Sequence, residues 1–155
     1  MTGASTDRIE KEIVIRAPRE RVWRALTEGR EFGAWFGARV GEGTFAPGAR
    51  VRGAITHPGY EHVNLDLEIE RVEEGRLLSW RWHPGAVEPG RDYSGEPRTL
   101  VVFELRDVPE GTRLTVVESG FDAIPAERRA EAWRGNDAGW AAQVKNIDRH
   151  VSGAR

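Results

Sequence analysis

Cysteine is absent from the 155 residues and methionine occurs once. The missing thiols remove disulfides, thiolate metal sites and thiol nucleophiles together, so stability must rest on a packed core, which fits a reducing compartment. Histidine is sparse: His57, His62, His83 and His150 lie scattered, with no His-x-x-x-His pair, so neither a metal site nor a cofactor is expected. No stretch approaches the about 18 apolar residues a membrane span needs, and residues 1–7 are polar with no leader-like apolar region, which makes the cytoplasm the expected location. Charge of one sign is missing too. With 23 Lys and Arg against 25 Asp and Glu, the formal net charge is -2, and nucleic acid is not an expected partner. No Gly-x-Ser-x-Gly elbow is present, and no nucleophile has an evident partner.

What remains is an ordered series of elements. A chain of this length fits one domain, expected over 8–152, with 1–7 as a flexible tail. Ile9, Ile13 and Ile15 share parity around Glu10 and Glu12 and predict a half-buried strand. Pro18 suits a first helical turn and Gly29 a helix end, so a helix is expected over 18–28, with Val22, Trp23 and Leu26 on one face and a second short turn at 32–36. Two weaker strands, 38–45 and 50–57, are expected to form a hairpin turning at Pro47-Gly48. Clearer alternation follows in Val63, Leu65, Leu67 and Ile69, then in Leu78, Trp80 and Trp82, then in Val101, Phe103 and Leu105, and last in Leu114 and Val116. Residues 83–98 hold three Pro and three Gly with no apolar period and read as a long loop, of a length usual for a lid or rim. Pro125 opens a final helix over 125–152. One strand, two short helices, six strand-like runs and one long helix describe an α+β fold in which a curved antiparallel sheet clasps the C-terminal helix and leaves a cavity.

The candidate chemistry sits on the last two elements. The apolar seam of the final helix reads Trp133, Trp140, Val144, Ile147 and Val151, and it breaks at Asn136 and Asp137, which Gly135 and Gly139 flank. Either those two side chains line a polar part of the cavity, or the helix tilts outward and the glycines permit a close backbone approach. Period-two counting from Leu114 and Val116 turns Glu118 inward, unless the strand bulges or ends by Val117 and leaves it at an exposed rim. In Trp80-Arg81-Trp82-His83 the parity puts both tryptophans on one face, which suits a cavity wall better than a base-stacking platform. Arg128, Arg129 and Arg134 alternate with Glu127 and Glu131 and read as a solvated face. Gly41-Glu42-Gly43 lies between two strands and opens no helix, so it does not read as a phosphate loop.

Taken together, Ile13-x-Ile15-x-Ala17-Pro18-x-x-x-Val22-Trp23-x-Ala25-Leu26-Thr27, Trp35-Phe36, Gly111-Thr112-Arg113-Leu114-Thr115, Glu118-Ser119-Gly120-Phe121 and Gly139-Trp140 resemble the START-like, or SRPBCC, superfamily. Within it the chain is similar to bacterial relatives of the activator of heat-shock-protein ATPase. The resemblance covers about residues 8–151 and implies the helix-grip fold: a seven-stranded antiparallel sheet around the C-terminal helix, with an internal pocket for lipids, polyketides or other hydrophobic molecules. It brings no common catalytic set. The eukaryotic co-chaperones carry a further N-terminal domain that engages the chaperone and has no counterpart in these residues, which sets a chaperone partner behind a small hydrophobic ligand. The leading expectation is therefore a pocket walled by Trp23, Trp80, Trp82, Phe103, Trp133 and Trp140, with Glu118, Asn136 and Asp137 orienting the polar end of its occupant. Two others stand beside it: a cyclase- or dehydratase-like enzyme using Glu118 or Asp137 as the base, and a protein-interaction module with its core packed shut.

Overall fold

The computed structural model describes residues 7–153. Along the chain run β1 (Arg8–Ile15), α1 (Arg19–Thr27), α2 (Gly29–Phe36), β2 (Ala38–Arg39), β3 (Arg50–Ile55), β4 (Asn64–Glu73), β5 (Leu77–Trp82), β6 (Thr99–Val108), β7 (Gly111–Ser119) and α3 (Ala126–Ser152). The strands form one seven-stranded sheet in the order β1-β7-β6-β5-β4-β3-β2, antiparallel throughout. The first strand of the sequence thus pairs with the last at one edge of the sheet. At 27 residues α3 is about 40 Å long. It packs along β1 at the sheet edge, while its Trp140 ring reaches Phe103 on β6 and Trp82 on β5, so the sheet curls round the helix. This is the helix-grip α+β architecture.

Local chemistry accounts for most boundaries. Pro18 and Pro125, extended in backbone, stand at the N-caps of α1 and α3, where a missing N–H costs no helical hydrogen bond. Gly37 (φ 91) closes α2 and Gly153 (φ 71) closes α3 in the left-handed conformation that favours glycine. Gly29, expected as a helix stop, instead begins α2. Glu28 is the extended break, and the Gly29 N–H donates to Gly43 O at 2.8 Å.

The expected 38–45/50–57 hairpin also takes another form. Ala38 and Arg39 pair with Ile55 and Ala54, at the far end of β3, and residues 40–49 are irregular. Phe45 is drawn off by the core: its N–H donates to Thr27 O at 2.7 Å and its ring meets Phe32 edge-on. Tertiary burial of one aromatic overrides the local strand pattern. Of the expected tail, 1–6 lie outside the described residues. Asp7 is tied down, its main-chain carbonyl accepting from Gly120 N–H and its carboxylate from Asp122 N–H.

Along α3 the buried row is Arg128, Ala132, Trp140, Val144 and Ile147, with Asn136 half-buried in step at intervals of four. The seam drawn through Trp133 was therefore one residue out of phase in its first two turns. Gly135 and Gly139 do not serve a close approach either, since a Cβ built on either meets nothing within 4 Å. Gly53 is different: β2 crosses so near that a Cβ there would sit 1.7 Å from Arg39 O. Gly53→Ala is expected to cost about 1–3 kcal/mol through forced backbone displacement. Gly135→Ala should add up to about 1 kcal/mol by favouring helix. Urea unfolding of the two variants checks the pair, and equal effects would contradict the account.

Candidate functional site

Strand β7 runs without a bulge to Ser119, and Glu118 faces inward between Ile9 of β1 and Val101 of β6 with no exposed surface. Its carboxylate accepts from four side chains on three elements or their ends. Oε1 accepts from Trp140 Nε1 at 2.8 Å and Asn136 Nδ2 at 2.9 Å; Oε2 accepts from Trp82 Nε1 at 2.7 Å, Thr99 Oγ1 at 2.5 Å and Asn136 Nδ2 at 3.1 Å. No ion-pair partner of Glu118 occurs among the described residues. A buried carboxylate without a cation survives only when donors replace its water, and here a carboxylate's roughly four acceptor sites are taken.

Around this node the aromatics interlock. Trp80, Trp82, Phe103 and Trp140 lie with ring centroids 5.0–6.4 Å apart, and Phe32 and Phe36 extend the cluster to α2. Trp80 Nε1, alone in this set, is buried with no hydrogen-bond partner. The space directly under α3 is therefore filled by side chains. The open volume lies beside it, at the end of the sheet.

That cavity measures about 680 Å³. Phe36, Trp82 and Asn136 form its inner surface, Ile55, Val63 and Leu65 one wall, and residues 83–94 of the long loop the opposite side. Arg50 and Asp66, in a bidentate pair with Nε donating to Oδ1 at 3.1 Å and Nη2 to Oδ2 at 2.8 Å, stand at the rim. Tyr60 and Val87, 47% and 45% exposed, flank it as well, and they are two of the three large exposed hydrophobics among the described residues.

Of the residues singled out from sequence, Trp82 and Asn136 line the cavity and Glu118, Trp80, Phe103 and Trp140 stand behind them. Trp23 is buried in the core on α1. Trp133 lies on another face of α3, its Nε1 donating to Arg8 O at 3.1 Å. Asp137 is likewise turned to β1, where it pairs with Lys11 Nζ at 2.9 Å.

One functional side chain escaped sequence reasoning. Arg128, read as solvated, is buried and clamps the long loop to α3: its Nε donates to Glu96 Oε1 at 2.8 Å, its Nη1 to Pro84 O at 2.9 Å, and its guanidinium lies 4.9 Å over the Tyr93 ring. Arg91 adds a second bond to Glu96 at 3.1 Å. The signal that could have found it is the four-residue step from Trp140 back through Asn136 and Ala132. Arg128's hydrogen bond, with its charge and that of Arg91, holds the Glu96 carboxyl below the usual carboxylate range.

Glu118→Leu would strand the donors of Trp82, Trp140, Asn136 and Thr99, each at about 1–3 kcal/mol, so a loss above about 3 kcal/mol is expected in urea unfolding. Thr99→Val, which removes one donor of four, should cost less than that, about 1.5–3 kcal/mol. The clamp gives a kinetic prediction: Arg128→Ala should speed tryptic cleavage after Arg91 about tenfold or more, because charge-assisted bonds of about 1.5–3 kcal/mol are lost. Because the Glu96 value is depressed, its contribution is complete above the ordinary 4.5 and disappears as pH falls through the lowered value. Acid titration followed by tryptophan emission should show that step in the wild type and lose it in Glu96→Gln.

Comparison with known proteins follows the geometry. Residues 16–152 match the family described as Activator of Hsp90 ATPase homolog 1-like protein. Protein MLL2253 from Mesorhizobium loti shares 25% identity and a TM-score of 0.74, over 96% of this chain and 98% of that one. DynU16, a putative protein in the dynemicin biosynthetic locus, shares 25% identity and a TM-score of 0.70 over 96% of this chain, which spans 48% of that one. The Aha1 dimer from Colwellia psychrerythraea, at 16% identity, 94% and 96% coverage and a TM-score of 0.67, shares the fold. No curated protein sequence matches. With the match spanning strand, grip helix and the Glu118 node alike, the chain belongs to the Activator of Hsp90 ATPase homolog 1-like family.

Proposed function

We propose that this protein binds a small, largely apolar molecule in the cavity between the 83–98 loop, the β3–β4 wall and the inner surface of Trp82, Phe36 and Asn136. The observation that carries the reading is a cavity of about 680 Å³ that persists beside a tightly packed aromatic core. Its size falls in the range of sites for drug-sized ligands, about 300–1,000 Å³; Phe36, Trp82, Ile55, Val63 and Leu65 give it an apolar inner part, while polar and charged side chains of the loop and the β3–β4 rim make up much of the rest. The occupant would lie against Trp82 and Phe36, with Val63 and Leu65 alongside and the clamped loop as its cover.

The positions of Glu118 and Asp137 favour binding over catalysis by either as a base, and of the carboxylates that do line the cavity Asp66 is held by Arg50 and Glu88 by Arg91. Glu118 has its oxygens occupied by four donors and does not line the cavity, and Asp137 is paired with Lys11 on the β1 side. A general base must reach the proton it removes, directly or through one water.

The test is titration with N-phenyl-1-naphthylamine, a neutral probe that brightens in apolar surroundings. Saturable micromolar binding with quenching of tryptophan emission is expected, and Val63→Trp, which fills the wall, should weaken it by at least about tenfold through lost space. An absence of saturable binding by the wild type, or full affinity in Val63→Trp, would refute the reading.

A further inference from the structure

Hydrogen-bond direction at the inner end of the cavity restricts what that end can accept. Asn136 is the one cavity-lining residue contributed by α3, and its Nδ2 is held by both oxygens of Glu118, at 2.9 and 3.1 Å. With both Glu118 oxygens already taking donors from Trp82, Thr99 and Trp140, turning the amide carbonyl toward them would set acceptor against acceptor. The choice between the two flips of Asn136, ordinarily open, is settled by its buried neighbour. Its Oδ1 is left with no partner among the described residues, on a side chain that borders the cavity.

The other polar atom nearby is used up in the same way. Trp82 Nε1–H donates to Glu118 Oε2 at 2.7 Å, so Trp82 offers its occupant a ring and no donor. Glu118 itself has no cationic partner among the described residues, and it stands immediately behind Asn136 and Trp82. A carboxylate on an incoming group would set its acceptor oxygens against Asn136 Oδ1, itself an acceptor, with no donor left over at that end. The cations of the lining, Arg50 and Arg91, are set on the β3–β4 rim and in the loop and are engaged by Asp66 and by Glu88 and Glu96.

Building on the pocket reading above, we infer that the inner end of the cavity selects a neutral hydrogen-bond donor: the occupant is an uncharged hydroxyl-bearing aromatic molecule that enters hydroxyl first, donates to Asn136 Oδ1 and stacks on Trp82 and Phe36. Asn136 is then a specificity-determining residue, and Glu118 a positioning residue that acts through it. The inner end discriminates against carboxylates, so a fatty acid does not enter head first.

Calorimetric titration with three probes of one ring system, at about pH 7, tests this. 2-Naphthol is expected to bind about five- to tenfold tighter than 2-methoxynaphthalene, the factor one ordinary hydrogen bond supplies. 2-Naphthoate should bind more weakly than 2-naphthol. Asn136→Ala should bring the naphthol-to-ether affinity ratio down to about one, whatever happens to the two affinities themselves, whereas general loosening of the core would lower both and keep their ratio. Equal wild-type affinities for naphthol and ether, or a preference for naphthoate, would overturn the donor rule and leave the pocket standing. Failure of all three probes to bind would overturn both. The wild-type comparison decides the matter even where Asn136→Ala does not fold.

Discussion

A carboxylate removed from water without a cation to balance it is the constraint from which the rest of this protein follows. Glu118 must be fed by donors, and it draws them from wherever the chain provides them: Trp82 at the end of β5, Thr99 at the start of β6, and Asn136 and Trp140 on α3. One group thereby fixes the roll of the helix over the sheet, the orientation of two indole rings and the amide of Asn136. Apolar packing is tolerant of sliding and rotation, whereas hydrogen bonds to a buried acceptor are directional. The polar node supplies register to a core whose aromatic bulk supplies the stabilisation.

The same node explains where the empty space lies. With Trp82 and Trp140 held by their N–H groups, their rings close against Phe103, Trp80 and Phe36 and fill the volume beneath α3. What they cannot fill is the sheet end beyond Trp82, where β3 stops at Ile55, β4 has just begun and the chain leaves β5 for a sixteen-residue excursion, 83–98. That excursion is not loosely draped. Arg128, Glu96 and Tyr93 clamp it to α3 through charge-assisted bonds and a cation–π contact, so it forms a defined side of the cavity.

Much of the fold was legible in particular residues. The parity of Ile9, Ile13 and Ile15, of Leu78, Trp80 and Trp82, and of Leu114, Val116 and Glu118 appears in the structure as strand faces, and Pro18 and Pro125 stand at helix starts. The inward Glu118 follows from counting by two. The phase of the first turns of α3 did not follow, because Trp133 outweighs Ala132 in any apolar pattern although Ala132 is the residue buried. Arg128 was equally hidden: a helical arginine among glutamates looks solvated until a loop some thirty residues earlier supplies its partners.

Local sequence by itself determined the order of the elements, the proline-marked starts of α1 and α3 and the inward turn of Glu118, since each depends on neighbours within a few positions. Tertiary structure alone decided that the tryptophans would pack shut, that the cavity would move to the sheet end, that Asp137 would pair with Lys11 and that Asn136 would present its oxygen. The reason is physical: periodicity reports which way a side chain points, but whether it meets a partner, a ring or open space depends on elements distant in the chain.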